Sequence, residues 1–166
     1  MIFKFLSKNF YISFSIVTLI YFLDRLSKIF VTQLDKNNFG SDIFNSSYLN
    51  IVLIWNKGIA FGLFSFNETH LYNILSLIIS MIVAVLVIMS FKSKGFKRYS
   101  LLMIVGGALG NLHDRIFYNA VPDFIDFHVG NFHWFVFNVA DIFITLGVIC
   151  MIFMEFIGNN NNDEKI

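Results

Sequence analysis

Two aspartates bracket one stretch of the chain, Pro122 to Asp141 (PDFIDFHVGNFHWFVFNVAD). Apolar segments precede and follow it. If both segments cross a membrane, Asp123 and Asp141 arrive at the same face of the bilayer, at the ends of neighbouring helices. Carboxylates at membrane depth are costly and mark function by default. Two of them in close contact share a proton, because like charge strongly raises one pKa. A proton-sharing pair is the acid–base apparatus of an aspartic peptidase. Neither aspartate has a basic neighbour in sequence that would neutralise it.

A second polar set falls at the same depth. Asp24 and Lys28 are spaced i,i+4 and share one helix face, as do Asn111 and Arg115, with Asp114 beside them. Counted outward from Phe10, Asp24 lies about 21 Å along a helix crossing a ~30 Å hydrocarbon core, in its outer third. Asn111, Asp114 and Arg115 lie similarly far outward, and Asn138 and Asp141 open the last apolar segment. Scattered placement would argue for chance; a single depth argues for a site. The ordinary alternative for Asp24, Lys28, Asp114 and Arg115 is polar glue between helices.

Other candidates carry less. Asp126, His128 and His133 could form a metal site with the aspartate pair, but strand alternation is expected to place them on hairpin faces open to water, so a solvated role is expected and no metal. Asp35, Asp42 and Glu68 read as solvated loop acids. The single cysteine, Cys150, allows no internal disulfide and reads as core filling. There is no H-E-x-x-H and no G-x-S-x-G.

The elements that must position these residues follow from composition. The chain is 57% hydrophobic and 14% charged, with a mean hydropathy of +0.69; a soluble domain carries about a quarter charged residues. The solvent is therefore lipid, and a net charge of +1 leaves no footprint for nucleic acid. Four apolar segments approach the ~20 residues that a bilayer requires: Phe10 to Val31, Leu71 to Phe91, Tyr99 to Phe117 and Phe135 to Ile157. Lys4 and Lys8 precede the first, and Lys92, Lys94, Lys97 and Arg98 separate the second from the third. The positive-inside rule then puts both termini in the cytoplasm and the two long connections outside. The N-terminal run has no small-residue cleavage site and is read as a retained helix rather than a signal peptide.

In the first outer connection Tyr48 to Trp55 reads as a strand leading into a turn, Asn56-Lys57-Gly58-Ile59-Ala60-Phe61-Gly62. In the second, residues 124–137 read as a hairpin about Gly130-Asn131. The predicted architecture is a membrane all-α protein of four transmembrane helices with a small extracytoplasmic β-sheet. A single domain is expected over residues 1–158, followed by a polar, disordered tail over 159–166.

Five ordered blocks resemble one family. They are Asp24-x-x-Ser27-Lys28; Asn56-x-Gly58-x-Ala60-Phe61-Gly62; Gly106-Gly107-Ala108-x-Gly110-Asn111-x-x-Asp114-Arg115; Asp123-Phe124-Ile125; and Phe137-Asn138-x-Ala140-Asp141. Together they resemble the bacterial lipoprotein signal peptidases, or signal peptidase II, over nearly the whole chain. Pro122 departs from the aliphatic residue more familiar before the first aspartate. The resemblance implies an aspartic endopeptidase of the inner membrane, its active site near the outer leaflet. It would cleave prolipoproteins just before a diacylglyceryl-modified cysteine.

Carried over residue by residue, the resemblance makes Asp123 and Asp141 the catalytic pair. Asp24, Lys28, Asn56, Gly58, Phe61, Asn111, Asp114, Arg115, Asn138 and Ala140 would support the site or contact substrate. No cofactor or metal is implied. The partners are the prolipoprotein and membrane lipid, and a monomer is expected. The asparagines are expected to bond the extended substrate backbone, and Arg115 a carboxylate or carbonyl near the pair. Two competing readings predict otherwise. A proton-coupled transporter needs polar groups through the whole membrane depth, and a scaffold needs no aspartate chemistry at all.

Overall fold

The structure, a computed structural model, describes residues 8–38, 43–58 and 69–163. Ala60, Phe61 and Gly62 of the second block, and Lys4 of the N-terminus, lie outside them. Four long helices and three strands follow in the order α1 (Lys8–Asn37), β1 (Leu49–Asn56), α2 (Thr69–Lys92), α3 (Gly95–Tyr118), β2 (Val121–Val129), β3 (Phe132–Phe137) and α4 (Val139–Asp163). Each helix has at least 24 residues, hence about 36 Å of length at 1.5 Å per residue.

The two kinds of helix solve different problems. Tyr72–Lys92 of α2 and Val139–Phe156 of α4 are apolar enough along their length to cross a bilayer. α1 and α3 are as long but interrupted by charge: Asp24, Arg25 and Lys28 in one, Asp114 and Arg115 in the other. Those charges are buried, while Phe14, Leu19, Phe22, Leu26, Ile29 and Phe30 of α1 all stand more than half exposed. A soluble protein does not display so large an apolar surface. The helix is polar inside and apolar outside, the arrangement that hydrocarbon solvent selects.

α3 is the hub, packing against α1, α2 and α4. Gly106 and Gly110 form a GxxxG along α3, and a methyl at Gly106 would press on Ile20 of α1. A methyl at Gly110 would sit 2.5 Å from Asp24 Oδ2, and one at Gly107 would run into the carbonyl oxygen of Ala140. Small residues at these points let α1 and the start of α4 approach close enough for hydrogen bonds.

α3 closes on Asn119, left-handed at φ 53°, which turns the chain straight into β2. The sheet is antiparallel in the order β1-β2-β3. Gly130 alone of the hairpin pair has positive φ (59°), which makes Gly130-Asn131 a II′-type turn. Pro122 stands second in β2, opposite Trp55, near the strand start where a missing donor costs the ladder least.

One expectation is corrected. Phe135 to Phe137 belong to β3, the second strand of the expected hairpin, and not to the last helix, which begins at Val139; alternating aromatic residues there favour an extended ladder. α4 is described as far as Asp163.

Candidate active site

The site begins with a charged cluster between α1 and α3. Arg25 donates from Nη1 and Nη2 to the two oxygens of Asp114 and from Nη2 to Asp24, at 2.9 Å. Lys28 Nζ donates to Asp24 Oδ2 (2.9 Å), Asp114 Oδ2 (2.7 Å) and Asn111 Oδ1 (2.8 Å). Asp24 and Asp114 are completely buried. Two cations face two carboxylates, so the cluster is neutral as a whole. Its geometry satisfies the condition for keeping ions in a low dielectric, where removing one partner costs about 3–5 kcal/mol.

The cluster reaches the aspartates through amides. With its oxygen held by Lys28, Asn111 donates from Nδ2 to Asp141 Oδ1 at 2.8 Å. Asp24 Oδ1 accepts from the backbone N–H of Ala140 at 3.0 Å, which ties the first turn of α4 to α1. That turn is closed by a reciprocal pair of bonds. Asp141 N–H donates to Asn138 Oδ1, and Asn138 N–H donates to Asp141 Oδ2, both at 3.1 Å. This is a capping box with Asn at the N-cap and Asp at the third helical position, and it fixes the Asp141 carboxylate.

Asp123 is held from the sheet side. Asn138 Nδ2 donates to its Oδ1 at 2.6 Å, and Asn56 Nδ2 to its Oδ2 at 2.8 Å. Asn56 Oδ1 accepts from Gly58 N–H at 2.8 Å, and Arg115 donates to the carbonyls of Gly58 and Asn111, each at 3.2 Å. Asn138 thus contacts both aspartates. The hydrogen bonds to the pair come from neutral amides. Asp123 is 4% exposed, and burial first, then the charge of Asp141, push its pKa up to about 6. The amides of Asn56 and Asn138 and the charge of Lys28 oppose that rise.

A cavity of about 380 Å³ opens on the pair. Asn56, Asn111, Arg115, Asp123, Asn138 and Asp141 line its polar end, and Ile79, Ile144, Val148 and Ile149 its apolar remainder. From Asp141 to Ile149 it follows α4 for about 12 Å. A shallower apolar pocket of about 210 Å³, walled by Phe135, Phe137, Ile142 and Leu146, lies beside Asp141.

Every described residue named from the sequence is therefore gathered here. Asp24, Lys28, Asn56, Gly58, Asn111, Asp114, Arg115, Asn138 and Ala140 form one connected network around Asp123 and Asp141. Arg115 holds a carbonyl, as expected. The amide nitrogens of Asn56, Asn111 and Asn138 are engaged by the aspartates rather than held out for a substrate backbone, because buried carboxylate oxygens need donors.

Sequence reasoning passed over Arg25, although a charge between Asp24 and Lys28 in an apolar segment carries the same signal as its neighbours. Asp126 and His128 were expected in water and are buried at 5% and 8% exposure; only His133 stays open. β2 is the central strand of the sheet, so Asp126 stands beside Asn50 of β1 and His128 beside His133 of β3.

Comparison with known proteins agrees along nearly the whole length. The family described as signal peptidase (SPase) II matches residues 16–157. The lipoprotein signal peptidase of Pelagibacter ubique (strain HTCC1062) is 47% identical over 159 residues, covering 95% of this chain and 96% of the relative. That of Anaplasma phagocytophilum (strain HZ) is 45% identical over 136 residues, covering 80% and 84%. A solved bacterial membrane enzyme at 2.3 Å resolution superposes with a TM-score of 0.72 at 28% identity, covering 90% of each chain. A second, at 1.9 Å, gives 0.69 at 30% identity, covering 86% and 90%.

Proposed function

Because the chain belongs to the signal peptidase II family, it is a membrane peptidase that removes signal peptides from prolipoproteins, and we propose that Asp123 and Asp141 perform the hydrolysis. The observation that carries this assignment is the pair itself: two carboxylates bonded by neutral amides at the mouth of a cavity. One aspartate, ionised, takes a proton from water as the water attacks the scissile carbonyl. The other, protonated, donates to the carbonyl oxygen as it becomes negative. The two exchange roles as the amine leaves with a proton, and they titrate as one unit. Asn56, Asn111 and Asn138 hold the carboxylates in register, which is where the catalytic advantage of a preorganised site arises.

Four transmembrane helices suit this reading. α1 and α3 turn their charges inward and their apolar faces outward, so each crosses as readily as α2 and α4. The basic residues before α1 and between α2 and α3 put both termini in the cytoplasm and the sheet and site near the outer leaflet. The apolar part of the cavity, along Ile144, Val148 and Ile149, receives the hydrophobic signal segment. The scissile bond, just before a diacylglyceryl-modified cysteine, then lies against the aspartates, with the aromatic pocket beside Asp141 available to the lipid. The enzyme works as a monomer, and its acid and base are both protein carboxylates, with no resident metal or cofactor in the reaction.

The transporter alternative has no support. Among the described residues, the buried charged side chains all gather at the sheet end of the bundle, leaving no polar path through its depth.

Purified enzyme with a diacylglyceryl-modified precursor tests the assignment. Asp123→Asn and Asp141→Asn should each lower the single-turnover cleavage rate by about 10³-fold or more while melting as a folded protein. Near wild-type cleavage by either folded variant would sink it.

A further inference from the structure

The face of the sheet beyond the aspartate pair carries a cluster that hydrolysis does not use. Asp126 and His128 are two apart on β2 and so share one face, and His133 of β3 stands opposite His128 in register. One donor atom from each lies within 4.8 Å of the other two. The two imidazoles stack, with centroids 4.8 Å apart and planes 19° from parallel. His133 Nδ1 is 2.8 and 3.0 Å from the oxygens of Asp126, and Asn50 of β1 reaches Asp126 Oδ2 at 3.4 Å. Against this order, His128 Nδ1 is buried and has no hydrogen-bond partner among the described residues. An orphaned buried polar group costs about 1–3 kcal/mol, and its residue is only 8% exposed.

We propose that Asp126, His128 and His133 form a binding site for a first-row transition-metal dication, with Zn²⁺ the preferred ion. The donor set selects the class. Two imidazoles and one carboxylate suit zinc and its neighbours, whereas Ca²⁺ and Mg²⁺ require oxygen ligands throughout. Zinc binds such ligands at about 2.0–2.2 Å, which in a tetrahedron brings donors to about 3.3 Å from one another. The three donors already lie within 4.8 Å of one another, so side-chain rotation rather than backbone movement brings them to that spacing, and His133, with a side chain 54% exposed, is the least confined of the three. The same exposure gives the ion its entry path, and three protein ligands leave a fourth position open to water. A bound ion clamps β3 to β2, the strand that carries Asp123. It braces the hairpin and takes no part in the hydrolysis.

Full-length protein, purified in detergent without a polyhistidine tag and stripped with a chelator, is titrated with Zn²⁺ against a chromophoric competitor. Co²⁺ is then substituted to record ligand-field absorption. Wild type should take up one ion per chain at micromolar affinity or tighter. Asp126→Asn and His133→Ala should each weaken binding about tenfold or more, and His133→Ala should lose the tetrahedral Co²⁺ bands. His113→Ala, on α3, serves as the control and should match wild type. Since His133 is exposed, its removal leaves the fold intact, which circular dichroism checks. No ion retained by wild type, or equal affinity in wild type and His133→Ala, overturns the site. Cleavage of precursor is measured separately and does not bear on that outcome.

Discussion

Two groups of carboxylates lie a few ångströms apart in this protein and are built on opposite plans. Asp24 and Asp114 meet Arg25 and Lys28 in a sealed, charge-balanced cluster. Among the described residues, Asp123 and Asp141 meet only amide donors, and they open on a cavity. The side chains are chemically the same, and the counterion decides what they do. A carboxylate locked by cations in a buried cluster cannot trade protons cheaply, but it can hold three chain segments together. A carboxylate that shares its surroundings with another carboxylate keeps a proton within reach of neutral pH. Lys28 links the two plans: it balances Asp24 and Asp114, and through Asn111 it aims the donor that holds Asp141.

The comparison breaks if one conservative change has the same consequence in both groups. Asp123→Asn should abolish cleavage, about 10³-fold or more, with a folded protein remaining. Asp114→Asn leaves the buried cations Arg25 and Lys28 facing the single carboxylate of Asp24, one charge out of balance, and should cost about 3–5 kcal/mol, read as a large drop in melting temperature and poor recovery from the membrane. An Asp114→Asn protein that melts like wild type would show that the cluster is not what holds α1 to α3.

Asn111→Ala sharpens the link between the two groups. It removes the Asp141 donor and one Lys28 acceptor but no charge, so cleavage should fall about 10–100-fold, as when a supporting partner is lost, through kcat rather than KM. A change confined to KM would assign Asn111 to substrate binding instead.

Asn138→Ala deletes an N-cap, with an expected stability loss of about 1 kcal/mol, along with a bond to each aspartate. Its effect on cleavage should exceed that of Asn56→Ala, which removes a donor to Asp123.

The smallest effect is a slope. Asp123 has its pKa raised from 3.8 to about 6, by burial first and by Asp141 second, so the folded state binds that proton more tightly than the unfolded state. The stabilising contribution is complete below about pH 4 and is lost as pH rises through about 6. Two units correspond to about 3 kcal/mol at most. Melting temperature followed from pH 4 to 7 should decline less in Asp123→Asn than in wild type. Parallel curves would mean that Asp123 titrates normally.

Much of this arrangement is legible in one dimension. The i,i+4 spacing of Asp24 and Lys28, the common depth of the polar groups, the GxxxG seam and the Gly-Asn hairpin all depend on helix rise, strand alternation and turn chemistry. These are local rules that need no tertiary partner. The common depth of the polar groups in the first, third and fourth apolar segments is also a local quantity, and with the position of Asp123 and Asp141 between two such segments, and no basic neighbour for either, it selects the pair.

What the chain by itself could not decide is who bonds to whom across it. Asn56 meets Asp123 only because β1 pairs antiparallel with β2. Arg25 enters the cluster because α1 is rotated to face Asp114. Asp126 and His128 are buried on the central strand, beside Asn50 of β1 and His133 of β3. The amide nitrogens of Asn56, Asn111 and Asn138 bond the aspartates, since hydrogen-bond satisfaction in a buried site is settled by what lies within about 3 Å. Sequence periodicity determined the depth and the chemistry of the groups; only tertiary packing supplied the neighbours, and neighbours are what turn one pair of carboxylates into a brace and the other into an acid and a base.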